Sequence, residues 1–96
     1  MGTYTFTNAV SFAYRGWFCT MREALCGYKV KAVAMTSRFK QEYSLSTSSF
    51  IDAEDFRHCG DYREFKVTQM IIGWNRAKKK AEQYIDMYLG TANTDA

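Results

Sequence analysis

The strongest constraint on how this chain folds is a stripe of apolar residues near its C-terminus. They recur at Met70, Trp74, Ala77, Ala81, Tyr84, Ile85 and Tyr88, the i, i+3/i+4 spacing of a helix that buries one side. The spacing predicts an amphipathic helix over residues 69–89, with Gly90 as a left-handed C-cap. Gly73 is a weak point near its start, which allows the helix to begin a turn later. Such a helix needs an apolar surface to lie on. Residues 28–36 and 62–68 have the strand character to supply one. In the second, Arg63, Phe65 and Val67 alternate with Tyr62, Glu64 and Lys66, which suits a strand with one solvated face. Residues 3–7 read as a short edge strand.

Two segments are less decided. Within residues 9–26, Val10, Ala13, Trp17, Met21, Ala24 and Leu25 line one side at helical period, with Asn8 as cap and Gly27 as stop. At period two, residues 17–22 instead read as a strand that pairs with residues 30–35 through a turn near Gly27. The helical reading is preferred over at least the first half. Residues 37–49, with five serines and a threonine, read as a surface loop with at most one helical turn over 38–43. A short helix is signalled at 52–59: Asp52 is a good N-cap, Glu54 and Asp55 suit the first turn, and Arg57 and His58 the last. Hydrophobic residues make up 47% of the 96 positions, enough for one core and too few residues for two domains. With no proline, repeat or low-complexity linker, residues 1–90 read as one domain and 91–96 as a frayed tail. The expected fold class is α+β: a small antiparallel sheet packed by a long C-terminal helix and one or two further helices.

The net charge of +3 hides a block pattern. Residues 15–40 carry Arg15, Arg22, Lys29, Lys31, Arg38 and Lys40 against Glu23 alone. Residues 41–64 carry six acids against Arg57 and Arg63, and residues 65–80 carry Lys66, Arg76, Lys78, Lys79 and Lys80 with no acid. If the two basic blocks meet in the fold, they form one positive face that attracts phosphates or an acidic protein. The plain alternative is that these side chains solvate scattered surface. On the C-terminal helix, Lys79 falls opposite the apolar stripe, Arg76 and Lys80 on one flank and Lys78 on the other.

No arrangement of residues announces catalysis. Cys19, Cys26 and Cys59 are an odd number without a secretory leader, which favours free thiols in a reducing cytoplasm. A zinc site is not expected: there is one histidine, His58, and no C-x-x-C pair. Cys59 beside His58 is a poor nucleophile and base, because sequence neighbours on a helix point in different directions. Asp52, Glu54, Asp55, Asp61 and Glu64 offer carboxylates, but the helix start accounts for two of them. The six glycines are isolated, so no phosphate-cradling loop is present. Tyr28 with Lys29 and Lys31, and Trp74 with Arg76, interleave rings and cations as base-stacking surfaces do; core packing is the competing reading. The longest apolar run, Ala32-Val33-Ala34-Met35, is four residues, so no membrane span is expected.

Small size, basic charge, many aromatics and no catalytic signature resemble a phage-encoded inhibitor. The run Tyr14-Arg15-Gly16-Trp17-Phe18-Cys19-Thr20-Met21-Arg22-Glu23, through Ala32-Val33-Ala34-Met35-Thr36-Ser37, to Asp52-Ala53-Glu54-Asp55-Phe56 is similar to phage anti-CRISPR proteins directed against type I-F systems. These families share no common motif, so the resemblance carries over no residue by position. It implies a non-enzymatic, cofactor-free protein of the host bacterial cytoplasm; the oligomeric state is left open, with a monomer preferred. Its partner would be the crRNA-guided type I-F (Csy) surveillance complex of Cas proteins and crRNA, where it would insert between subunits and block target-DNA hybridisation. A positive chain is a poor mimic of DNA, so the expected contacts are Arg15, Lys29, Lys31, Arg38, Lys40, Arg76, Lys78, Lys79 and Lys80, on protein and guide RNA. The rival readings are a small basic nucleic-acid-binding accessory protein acting directly on DNA or RNA, and an oligomerising phage protein.

Overall fold

The computed structural model describes residues 9–44, 53–68 and 73–94. Four strands, β1 (Ala9–Tyr14), β2 (Trp17–Ala24), β3 (Gly27–Ala34) and β4 (Tyr62–Val67), form one antiparallel sheet in sequence order. Helix α1 (Ser37–Ser44) and a 3-10 turn (Ala53–Cys59) lie between β3 and β4 in the chain. Helix α2 (Trp74–Tyr84) follows β4 and runs on as a π-helical turn, Ile85–Leu89. This is the α+β fold with a C-terminal helix that the apolar stripe demands. The helix starts after Gly73, one turn later than residue 69; residues 3–7, 45–52 and 69–72 lie outside the described residues.

Residues 9–24 form a hairpin, which overturns the helical reading of that segment. Tyr14 pairs with Trp17, leaving Arg15 and Gly16 as a two-residue turn with φ of 51° and 85°. Positive φ at both positions gives the twist that joins two antiparallel strands tightly. The helical period misled because Trp17 to Met21 are all buried. A strand covered on both faces loses the apolar–polar alternation by which a strand is recognised. Gly27 opens β3 with a φ of +139°, and a Cβ there would collide with the carbonyl oxygen of Val67.

The sheet separates two cores. On one face, Trp17, Cys19 and Met21 of β2, Tyr28, Val30, Ala32 and Ala34 of β3, and Phe65 and Val67 of β4 pack with Ala77, Ala81 and Ile85 of the C-terminal helix. Tyr84 stacks on Phe65, ring centroids 4.1 Å apart and nearly parallel. On the other face, Phe18 and Val33 meet Phe39, Phe56 and Cys59. Phe39, 1% exposed, anchors α1, so residues 37–44 are helix where a loop is expected. Its start is capped: Thr36 Oγ1 accepts a hydrogen bond from the Phe39 amide at 3.2 Å and donates one to the Cys59 carbonyl.

Thr91 and Ala92, at the start of the segment read as a frayed tail, are held against the domain. The Ala92 amide donates to the Arg15 carbonyl at 2.9 Å, Ala92 is buried, and Trp17 Nε1 donates to the Gly90 carbonyl at 2.8 Å. The chain end therefore closes over the β1–β2 turn. No helix among the described residues is long and apolar enough to cross a membrane.

Candidate functional site

Strand alternation decides where the cations go. The even-numbered residues of β3 face α2, so Lys29 and Lys31 emerge on the opposite face of the sheet. Arg38 and Lys40 belong to α1, which covers that same face through Phe39. Arg76, Lys78, Lys79 and Lys80 belong to α2 on the other side. Lys29, Lys31, Arg38 and Lys40 thus lie on the opposite side of the sheet from Arg76, Lys78, Lys79 and Lys80, and these two groups do not merge into one surface; only Lys66 of the second block stands beside Lys29.

The individual cations differ in how far they are engaged. Arg15 is held within the molecule: Nη1 lies 2.7 Å from Asp86 Oδ1, while Nε and Nη2 donate to Thr91 Oγ1 at 3.2 and 2.9 Å. Tyr14 donates its hydroxyl to both Asp86 oxygens, at 2.9 and 3.1 Å. The bonds from Arg15 and Tyr14 hold the Asp86 carboxyl below its usual range, and the hydrogen bond to Asp86 pushes the Tyr14 phenol up. Lys29 Nζ is 2.9 Å from Glu64, Arg38 Nε is 3.5 Å from Glu42, and Lys78 Nζ is 3.7 Å from Glu82 while lying over the Phe12 ring. Arg76, Lys79 and Lys80 are exposed on adjacent turns of α2, and among the described residues no ion pair holds them. Ala77 and Ala81, fully buried beneath them, fix the helix backbone that carries them.

Sequence reasoning passed over a row of cations that only register reveals. Arg22 pairs with Lys29 and Lys29 with Lys66, so three basic residues stand side by side across β2, β3 and β4. Like charges in such positions repel, and Glu64 relieves the row by its contact with Lys29. The ring–cation reading of Tyr28 and Trp74 goes to core packing. Tyr28 is 3% exposed, its ring lies 4.9 Å from that of Trp74, and its hydroxyl accepts from the Gly73 amide at 3.3 Å.

A second cluster joins α1 to the 3-10 turn. Glu42 Oε2 lies 3.2 Å from His58 Nε2, and Cys59 Sγ lies 3.5 Å from the same nitrogen. His58 and Cys59 were expected to diverge as neighbours on a regular helix. In the structure the two side chains lie 3.5 Å apart, in a 3-10 turn that is interrupted at Phe56 (φ −113°, ψ 17°). The hydrogen bond from His58 holds the Glu42 carboxyl low, and burial followed by the nearby Glu42 pushes the Cys59 thiol up. A raised thiol is a poor nucleophile. A Cys–His–carboxylate relay also needs the carboxylate on one ring nitrogen and the sulfur on the other, whereas both partners here approach Nε2. The cluster opens onto a cleft of about 460 Å³ lined by Thr36, Arg38, Gly60, Asn93 and Thr94 beside His58 and Cys59. Of the carboxylates considered for catalysis, Asp61 holds Arg63 at 2.7 Å and Glu64 holds Lys29. The side chains of Asp52, Glu54 and Asp55 lie outside the described residues.

Comparison with protein-family models, curated proteins and solved structures found no match to this chain.

Proposed function

We propose that this chain is a non-enzymatic phage inhibitor that acts in the host bacterial cytoplasm. It binds the crRNA-guided type I-F complex and blocks hybridisation of target DNA. The observation that carries the reading is the exposed side of α2, where Arg76, Lys79 and Lys80 stand together with no ion-pair partner among the described residues. Cations left unpaired on a rigid helix attract phosphates at long range and lose little order on binding them. Lys29, Lys31, Arg38 and Lys40 on the far side of the sheet provide a second contact surface. Charge on both sides suits a wedge between two subunits better than a pad on one. Arg15 contributes least, because contact with a partner would cost it Asp86 and Thr91.

The test is co-elution with a purified, guide-loaded type I-F complex on a sizing column, followed by target-DNA binding. A stable shift with loss of DNA binding is the expected result. The triple variant Arg76→Glu, Lys79→Glu, Lys80→Glu should weaken association, and each lost phosphate contact should flatten its log–log salt dependence by about one unit. Reversal at Lys29 and Lys31 reads the second surface separately. Elution of the protein alone, together with binding to free RNA or DNA, overturns the inhibitor reading in favour of an accessory nucleic-acid-binding protein.

A further inference from the structure

The Glu42–His58–Cys59 cluster brings a carboxylate, an imidazole and a thiol from two elements to one point. In the metal-free protein the thiol and imidazole protons are shared within the cluster, with Cys59 hydrogen-bonded to Glu42. Each of the three groups also offers a lone pair, so a divalent cation would serve them together once the thiol proton is lost. Their spacing is that of metal ligands: the glutamate oxygen, the imidazole nitrogen and the thiol sulfur all lie within 4.8 Å of one another. Tetrahedral zinc, with Zn–S of about 2.3 Å and Zn–N and Zn–O of about 2.0 Å, requires S···N of about 3.5 Å and N···O of about 3.3 Å. The observed S···N and N···O separations are 3.5 and 3.2 Å, and the third pair, glutamate oxygen to sulfur, lies within 4.8 Å where the tetrahedron asks for about 3.5 Å.

We propose that Glu42, His58 and Cys59 bind a zinc ion, with the fourth position open to the cleft beside Thr36 and Thr94. Mixed sulfur, imidazole and carboxylate donors suit zinc rather than magnesium or calcium, which take oxygen ligands. On binding, the Cys59 thiol gives its proton to solvent and the thiolate takes the metal, since the ion's charge outweighs the burial that disfavours thiolate. Arg38 Nε lies 3.5 Å from the same Glu42 oxygen and helps to hold the carboxylate in place. The ion would staple α1 to the 3-10 turn, two elements otherwise joined by the packing around Phe39 and the Thr36 hydrogen bonds. The proposal is independent of the inhibitor reading, because no cation of α2 takes part in it.

Cobalt(II) is the probe, titrated into the full chain carrying Cys26→Ser, which removes the exposed thiol as a competing ligand. The expected result is one equivalent bound, with the visible bands of a tetrahedral centre and a thiolate-to-cobalt charge-transfer band, both displaced by zinc. Glu42→Gln and His58→Gln should each weaken binding about 100-fold, and Cys59→Ser should abolish the charge-transfer band. Glu42 and His58 are partly exposed, so their variants should fold, as circular dichroism will check. Zinc at 100 times its dissociation constant should also raise the melting temperature of the parent and leave that of His58→Gln unchanged. Absence of tetrahedral bands at millimolar cobalt, or bands that survive both Glu42→Gln and His58→Gln, overturns the site.

Discussion

The two faces of the sheet are covered in different ways. Helix α2 is a continuous amphipathic element, and its buried side is made of small residues, Ala77 and Ala81, that let the helix sit close to the strands. Large side chains on that face are spread over Trp17, Met21, Tyr28 and Phe65 of the sheet, joined by Ile85 and Tyr84 beyond the alanines. The other face is capped by two short pieces that meet around one ring. Phe39 lies 5.2 Å from Phe18 and 4.8 Å from Phe56, centroid to centroid. A layer whose contacts are distributed tolerates the loss of any one of them. A layer centred on a single side chain does not.

That contrast can be broken at Phe39. Phe39→Ala removes a ring that is 1% exposed and should cost about 3–5 kcal/mol in urea unfolding. Hydrogen exchange should then show α1 amides losing protection while β2, β3 and α2 keep theirs. Equal loss on both sides would mean that the two layers unfold as one. A smaller effect comes from the cap. Thr36→Ala deletes the acceptor of the Phe39 amide and should cost about 1 kcal/mol, read by the same unfolding curve. The smallest concerns the face that α2 covers, where Asp86 ties the end of the helix to the β1–β2 turn. Its carboxyl is depressed by Arg15 and Tyr14, so the folded state binds a proton there less readily than the unfolded chain does. The contribution is present above the ordinary carboxyl value and is lost as pH falls through the lower folded value. An acid titration of stability should therefore be shallower in Asp86→Asn than in the parent. Identical curves would show that the exposed pair with Arg15 contributes nothing measurable.

The helix at the C-terminus was legible because its polar and apolar sides differ, and a period of 3.6 follows from backbone geometry alone. Strand β4 was legible for the same reason at period two: Phe65 and Val67 are buried while Glu64 and Lys66 are exposed. The β1–β2 hairpin was not, since its central strand is apolar on both sides. Helix α1 was hidden as well, because serine-rich composition suggests a loop and, among its described side chains, Phe39 alone is buried. The candidate sites divide the same way. Arg76, Lys79 and Lys80 could be set on an exposed helix side from spacing, which depends only on neighbours in the chain. That Lys29 and Lys31 stand behind the sheet from them depends on which side of β3 takes α2. That Glu42 meets His58 and Cys59 depends on how α1 docks against the 3-10 turn. Local periodicity is a property of the chain and survives without a fold. The meeting of residues sixteen positions apart costs chain entropy that only the packed core offsets, so it belongs to the tertiary structure.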